Sequence, residues 1–480
     1  MSRQYQITGA WLPHGGNATV GVGETGADGG VETTGADGGV GTTGADVGNV
    51  LAGRVRRWAD QMTHPTPGPL EELAAARDSL VATAEELLAV DTRNPPGRTA
   101  EAADLVETIL DDLGLSTARY AVDPAKPNLV ATLPGERDRT LCFCGHLDTV
   151  PFDAEAWTSD PLGERDGDRL YGRGAADMKG ALAAMLATAR AYVESGTTPP
   201  VTLEFLVVSD EEVGGDAGLP AVLDAGGVAA DACVIGEPTC AADRHSVTVA
   251  DRGSIWLTLE ATGEAAHGSR PVLGVNAIDR LYDAVEVLRE RFGTRALSID
   301  PEVEPIVEES VAYYAPIMGE ETARELFSHP SINLGTIEGG EAINSVPRSA
   351  RAELDVRLTA GVHTPDVLAA IRECADECTG VEIADVSWSV GTAEPIDGPL
   401  VEAVTTAAET VTGDRIYRRS ATGGGDAKRL RNAGISTVEF ALGPDTAHAV
   451  DEYTTLDALA ANARTYARLP YAYADAVDDA

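Results

Sequence analysis

From Pro69 onward, apolar residues recur with helical and then strand-like periods. Leu70, Leu73, Leu80, Val81, Leu87 and Leu88 fall on one face at helical spacing, which predicts an amphipathic opening helix. A second helix is expected over about 98–113, closed by Gly114. Short apolar strands then alternate with helices: Leu129–Leu133, Thr140–Cys144, a helix over 178–194, Val201–Val208 and Ala232–Ile235. Such β-α-β alternation predicts a largely parallel sheet covered on both faces.

Near residue 250 the pattern changes. Ile255-Trp-Leu-Thr-Leu259 alternates as a half-exposed strand. Helix 275–292, strands 331–338 and 350–358, helix 364–378 and strand 381–388 follow, in the β-α-β-β-α-β order of a ferredoxin-like unit. After Glu394 the α/β character returns with helices 398–412 and 426–433, strand Thr437–Ala441 and a last helix over 455–474. The expected fold class is α/β: a mostly parallel catalytic domain (69–250 and 389–480) interrupted by a smaller inserted α+β domain (251–388). The stretch 301–329, with Ala312-Tyr-Tyr-Ala-Pro316, is an extra insertion inside that smaller domain, with no role legible in its residues.

Residues 1–68 behave differently. Their nine-residue repeat (TGADGGVET, TGADGGVGT, TGADVGNV) has no apolar period and cannot bury enough surface to offset ordering entropy. They read as a disordered Gly/Thr-repeat leader, and Met62, the next methionine, offers a later start.

Charge narrows the function classes. The chain has 77 acidic and 36 basic residues, a net charge of -41, and only three of the 36 are lysines (Lys126, Lys179, Lys428), leaving 33 arginines. So acidic a surface argues against nucleic-acid binding, which needs cationic contacts to phosphate. It fits a halophilic protein, since self-repulsion is screened where the Debye length falls to about 3 Å at 1 M salt. No run of about 18 apolar residues predicts a membrane span, and MSRQYQITGA lacks a signal core. Six cysteines without a C-x-x-C pair fit free thiols in a reducing cytoplasm.

Candidate chemistry gathers in loops that follow strands. In Cys142-Phe-Cys-Gly-His-Leu-Asp-Thr-Val-Pro151, His146 and Asp148 share a face, so the carboxylate can hold one imidazole nitrogen and leave the other for a metal. Leu170-Tyr-Gly-Arg-Gly-Ala-Ala-Asp-Met-Lys-Gly180 places Asp177 where a helix begins, a position an N-cap would also explain. Val207-Val-Ser-Asp-Glu-Glu-Val-Gly-Gly215 presents Glu211 and Glu212 at a strand's carboxyl end, so that one can ligate a metal and the other take a proton from water. Glu237 ends Val234-Ile-Gly-Glu-Pro-Thr239, and His448, one of eight histidines, lies in Leu442-Gly-Pro-Asp-Thr-Ala-His-Ala-Val-Asp-Glu452. Together His146, Asp177, Glu212, Glu237 and His448 suit two zinc ions sharing a carboxylate, although spacing alone also permits a single metal.

These motifs, in this order over roughly residues 70–475, resemble the di-zinc deacylase and carboxypeptidase family. That family includes acetylornithine deacetylase, succinyl-diaminopimelate desuccinylase, aminoacylase and the glutamate carboxypeptidases. The resemblance implies a zinc-peptidase-like topology with an inserted lid and dimerisation domain. It implies that Asp177 bridges the metals and precedes a cis peptide bond, that His146 and Glu237 hold one zinc, and that Glu212 and His448 hold the other. Cobalt may replace zinc in such sites. Glu211 would be the general base that moves a proton from the zinc-bridging hydroxide's parent water to the leaving amine, with Asp148 orienting His146. Ala265-Ala-His-Gly-Ser-Arg-Pro271 matches the family's histidine loop, so His267 would polarise the scissile carbonyl across a homodimer. Asn344-Ser-Val-Pro347 and Leu354-Asp-Val-Arg357 match a substrate-grasping pair, Asn344 and Arg357, and Ser420-Ala-Thr-Gly-Gly-Gly-Asp426 a substrate loop centred on Gly424.

The expectation is thus a cytoplasmic, zinc-dependent amidohydrolase acting on a small N-acyl amino acid such as N-acetylornithine or N-succinyl-diaminopimelate. A dipeptidase or carboxypeptidase of the same family is the nearest alternative. An inactive binding homologue would lack a ligand or the base, and none is missing.

Overall fold

The computed structural model describes residues 68–241 and 244–479. The 1–68 leader therefore lies outside the described residues, apart from Gly68, which opens the first helix. The strands, in chain order, are β1 (Ser116–Tyr120), β2 (Asn128–Leu133), β3 (Arg137–His146), β4 (Glu164–Asp166), β5 (Arg169–Tyr171), β6 (Val201–Val208), β7 (Ala232–Ile235) and β8 (His245–Ala250). Then come β9 (Gly253–Thr262), β10 (Ser331–Gly339), β11 (Ser349–Leu358), β12 (Val381–Ser389), β13 (Ile416–Ser420), β14 (Ser436–Glu439) and β15 (Tyr453–Thr455).

The fold is α/β. Eight strands form one sheet in the order β1-β2-β6-β3-β7-β14-β8-β13. Its centre, β6-β3-β7-β14, is wholly parallel, so those four strands end at one common edge. Both faces are buried: Leu141 and Phe143 of β3 point into one apolar core while Cys142 and Cys144 point into the other. The helix Lys179–Glu194 is apolar nearly all round, as a helix enclosed on every side must be. It packs between the sheet and the helices Arg77–Ala89 and Leu456–Asp478. The smaller helices Leu219–Asp224 and Asp426–Asn432 cover the opposite face.

The second sheet, β10-β11-β9-β12, is antiparallel and is covered on one face by helices Ala277–Leu288 and Thr364–Asp376. With those helices it has the expected ferredoxin-like β-α-β-β-α-β order, and it interrupts the large sheet between β8 and β13. Three details differ from expectation. The opening helix is two helices, Gly68–Ala75 and Arg77–Ala89. Strands β1, β4, β5, β8, β13 and β15 were not legible in the pattern.

The third difference concerns the insertion at 301–329. It forms helices Glu304–Met318 and Glu320–Ser328, and these pack with the large sheet rather than the small one. Ile306, Val307, Val311 and Phe327 enter the larger core, Tyr313 donates to the Thr239 carbonyl at 2.9 Å, and Ser310 Oγ accepts from the Ser420 amide at 2.8 Å. The pair thereby shields β13, which would otherwise present a free edge.

Ser310→Ala removes the partner of a buried backbone N–H at that edge. The expected cost is about 1–3 kcal/mol in a urea melt; a midpoint equal to wild type would mean the helix is not seated on β13.

Candidate active site

Four parallel strands deliver their following loops to one edge, and the candidate side chains meet there. β3 ends at His146, Glu237 follows β7, the Asp210–Glu212 turn follows β6, and His448 lies in the loop after β14. Asp177 sits just before the helix that starts at Lys179, and its peptide bond to Met178 is cis, as expected. Met178 is fully buried beneath the site, where Gly145 and Gly236 leave room for it: a Cβ at either would stand 2.7–2.8 Å from Met178 Cε.

Two donor clusters share Asp177. His146 Nε2 lies 3.1 Å from Asp177 Oδ1 and 3.3 Å from Glu237 Oε1. His448 Nε2 lies 3.1 Å from Asp177 Oδ2 and 3.3 Å from Glu212 Oε2. All five expected ligands are therefore brought together, with one carboxylate oxygen of Asp177 turned to each cluster.

The electrostatics are those of a site short of positive charge. Burial raises the Glu237 carboxyl well above its usual range, and the neighbouring Asp177 raises it further. Burial likewise lifts Glu211 to about 8, helped by Asp426, Asp177 and Glu212 and opposed by His146. Burial works against protonation of His146, but its bonds to Asp177 and Glu237 prevail and hold it well above the ordinary imidazole value. His448 is raised to about 10 by its bonds to Asp177 and Glu212. Among the described residues, the cluster's own imidazoles thus supply its compensating positive charge.

Asp148 does a different job from the one expected. Its carboxylate stands 3.8 Å from His146 Nδ1, and that nitrogen instead hydrogen-bonds the Asp148 backbone carbonyl at 2.9 Å. The carboxylate accepts from the Glu211 amide and the Glu212 amide, both at 3.1 Å, and from Asn94 Nδ2 at 2.8 Å. It therefore fixes the turn carrying Glu211 and Glu212. Asn94 also donates to Asp210 at 2.9 Å, and Asp210 pairs with Lys126. Asp210 has φ +68 and fills the space a Cβ at Gly215 would occupy, so this tight acidic turn needs the glycine.

The glycine loop Ser420–Asp426 borders the same space. A Cβ at Gly425 would stand 2.8 Å from Glu211 Oε1, and one at Gly424 would press on the Lys428 ammonium. Arg252 N donates to Gly423 O at 3.2 Å, while Arg252 Nη2 donates to the Arg357 carbonyl at 2.9 Å, which connects Arg357 to this loop. Arg357 is gripped at Nε by Asp355 (2.8 Å), which also accepts from Trp256 Nε1 at 3.0 Å. His267 and Asn344 are not bonded to the clusters. They are exposed on adjoining loops, with Gly268 N donating to Asn344 O at 2.7 Å, and no hydrogen bond or ion pair among the described residues joins either to the five clustered groups.

Sequence reasoning passed over Asn94, Lys126, Asp210, Arg173 and Glu452. Asp210 and Glu452 stood inside the quoted motifs beside the ligands, and Lys126 was one of three lysines in an acidic chain, which was the available signal.

Residues 142–472 match the model of peptidase family M20/M25/M40. The chain is 33% identical over 386 residues to a succinyl-diaminopimelate desuccinylase of Rhodospirillum centenum, covering 78% of this chain and 91% of that one. It is 32% identical over 354 residues to the desuccinylase of Dinoroseobacter shibae, covering 70% and 86%. Among solved structures, an M20 family metallo-carboxypeptidase from Sulfolobus solfataricus superposes with TM-score 0.69 at 20% identity, covering 82% of this chain and 99% of that one. Human carnosine dipeptidase 1 does so with TM-score 0.65 at 19% identity, covering 86% and 100%. The family match and the desuccinylase relatives make this chain a hydrolase of amide bonds. The chain belongs to peptidase family M20/M25/M40.

Lys126→Met leaves the buried Asp210 carboxylate without its cation. Loss of one partner of a buried pair costs about 3–5 kcal/mol. Chemical denaturation checks it, and a change below about 1 kcal/mol would show that the pair does not brace the turn.

Proposed function

We propose that this chain is a di-zinc deacylase that hydrolyses the amide of a small N-acyl amino acid, N-succinyl-diaminopimelate or N-acetylornithine being the leading candidates. The observation that carries the reading is the sharing of Asp177 between two clusters. The donors fit zinc: ligand atoms about 2.0–2.1 Å from a tetrahedral zinc stand roughly 3.3 Å from one another, and the imidazole–carboxylate distances are 3.1–3.3 Å. A set of three carboxylates and two imidazoles is also the borderline-hard donor mix that zinc accepts. His146, Asp177 and Glu237 would hold one ion, and Asp177, Glu212 and His448 the other. When bound, such a pair supplies Lewis acidity that polarises the amide carbonyl and makes water more acidic.

The chain's own residues do the rest. Glu211, outside both ligand clusters and half-buried beside the glycine loop, takes the proton of the attacking water and delivers it to the leaving nitrogen. Asp148 keeps Glu211 and Glu212 pointing apart by holding both their amides. Arg357, its Nε occupied by Asp355, offers its remaining N–H groups to the substrate carboxylate. The Gly423–Gly425 backbone lies beside the base, where its N–H groups can meet an anionic group. His267 and Asn344, exposed and without a hydrogen bond or ion pair to the clusters of their own chain among the described residues, act in the site of a second copy in a homodimer. In this reading 69–250 with 389–480 form the catalytic part and 251–388 the lid, with helices 304–328 packed on the former. The desuccinylases at 32–33% identity support the acyl-amino-acid substrate class.

We further propose a cytoplasmic setting of high salt. All three lysines are interior: Lys179 is buried, and Lys126 and Lys428 are mostly so, each in contact with a carboxylate or carbonyl oxygen. The described surface thus carries no exposed lysine against a net charge of -41. No helix among the described residues is long and apolar enough to cross a membrane. The melting temperature should rise steadily from 0.1 to 2 M KCl, as screening removes carboxylate repulsion. A salt-independent melt would remove the argument.

The decisive assay uses a panel of N-succinyl, N-acetyl and dipeptide substrates with zinc supplied. Glu211→Gln should keep its metal yet lose about 10²–10⁴-fold in kcat. Near-wild-type turnover in that variant would refute the base assignment, and preference for dipeptides would move the protein to the peptidase branch.

A further inference from the structure

The two donor clusters are not held alike. His146 is 2% exposed at the end of a central strand, and its partner Glu237 follows the adjacent strand β7. His448 is 53% exposed and lies in a loop whose backbone twice enters the left-handed region, at His448 (φ 63) and Asp451 (φ 54). Packing of the sheet fixes the first cluster. Something else must fix the second.

We infer that Glu452 is a positioning residue that sets the separation of Asp177 from His448, and so the affinity of the second metal group in particular. This rests on the di-zinc reading above. Glu452 is fully buried. Its Oε1 accepts from the amides of Gly174 (3.1 Å), Ala176 (2.9 Å) and Asp177 (3.1 Å), the loop that presents the shared carboxylate. Its Oε2 pairs with Arg173 Nη1 at 2.5 Å, and Arg173 Nη2 reaches the His448 carbonyl at 3.4 Å. The Glu452 carbonyl accepts from the Gly172 amide at 2.9 Å. One carboxylate thus gathers the loop behind Asp177, and its arginine partner reaches back to the residue that carries the second imidazole.

The far side of the same loop is also tied down. Asp451 accepts from the Thr158 amide and hydroxyl, both at 2.8 Å, and from the Ser159 amide at 3.2 Å. The loop after His448 is thus tied at Asp451 to residues 158–159 and at Tyr453 to Thr446 and to β5, while Glu452 with Arg173 joins it to the amides that lead into Asp177. The three amides precede the helix that begins at Lys179, so they are not satisfied by helical bonding and depend on this oxygen. A carboxylate so placed acts on the metal only through backbone geometry, as groups behind metal ligands commonly do.

The test uses the full chain freed of metal and titrated with Co2+ alone, followed by calorimetry and by the visible absorption of bound cobalt. Wild type should take up two equivalents. Glu452→Gln keeps the side chain's shape but sets an amide NH2 against Arg173. It should bind the first equivalent within about twofold of wild type and the second at least about tenfold more weakly, with a changed cobalt spectrum for the second step. With saturating zinc its kcat should fall about tenfold or more while KM changes little. Arg173→Lys, which keeps the charge but loses the reach to His448, should weaken the second step in the same sense. A folded Glu452→Gln protein that matches wild type in both steps and in spectrum overturns the inference. Wild type that binds no cobalt overturns the metal reading itself, and the inference with it. Should the variant not fold, hydrogen exchange on metal-free wild type decides: protected amides at Gly174, Ala176 and Asp177 support the role, and free exchange contradicts it.

Discussion

The carboxylate of Asp177 faces two imidazoles at once, one oxygen toward His146 and the other toward His448, each at 3.1 Å. That double contact is what the rest of the molecule must preserve. It brings a group at the end of a central strand and a group on a late loop to opposite sides of one side chain. The parallel order of β6, β3, β7 and β14 makes this possible, because parallel strands end on the same edge and release their loops into the same space. Burial of the cluster makes it costly unless positive charge is available. Taking several carboxylates out of water raises their protonation, as at Glu211 and Glu237, or requires imidazolium or metal as counter-charge.

Around this centre the chain spends buried polar groups on the backbone of the site rather than on its ligands directly. Asp148 holds the amides of Glu211 and Glu212, Asn94 joins Asp148 to Asp210, and Lys126 neutralises Asp210. Glu452 does for the Asp177 loop what Asp148 does for the acidic turn. Buried networks of this kind are specific when every member is satisfied and costly when one is lost. The scarcity of lysine gives the point a second side. In a chain that places no exposed lysine on its described surface, the three that occur each bind oxygen atoms: Lys126 at Asp210, Lys179 at the Val90 carbonyl, and Lys428 at Asp251 and the Arg252 carbonyl.

Much of the architecture could be read from the chain, and the reasons for the failures are specific. Val201–Val208 and the helix Lys179–Glu194 announce themselves because both are enclosed by apolar neighbours and carry mostly apolar sequence. β13, Ile416-Tyr-Arg-Arg-Ser420, looks like surface because of its two arginines. Arg419 is nevertheless buried: its guanidinium donates to Ser246 Oγ and to the Thr239 and Ser420 carbonyls, and lies over the rings of Tyr313 and Tyr314. Those rings come from the insertion at 301–329, so strand and insertion explain each other, and neither is readable alone. The break between the first two helices at Ala76 has no breaker residue, and we have no physical account of it. At the site, the five clustered residues were legible because each ends a strand, lies in the loop that follows one, or stands just before a helix. The contact of Asp148 was misjudged because two-residue spacing fixes the face a side chain takes, not which of the neighbouring backbone amides it prefers.

The most direct measurement is anomalous scattering at the zinc edge from crystals grown with zinc. The account predicts two peaks, about 3.5–4 Å apart, one bounded by His146, Asp177 and Glu237 and the other by Asp177, Glu212 and His448. A map with no peak at Asp177, or with zinc bound only at a place remote from it, would contradict it.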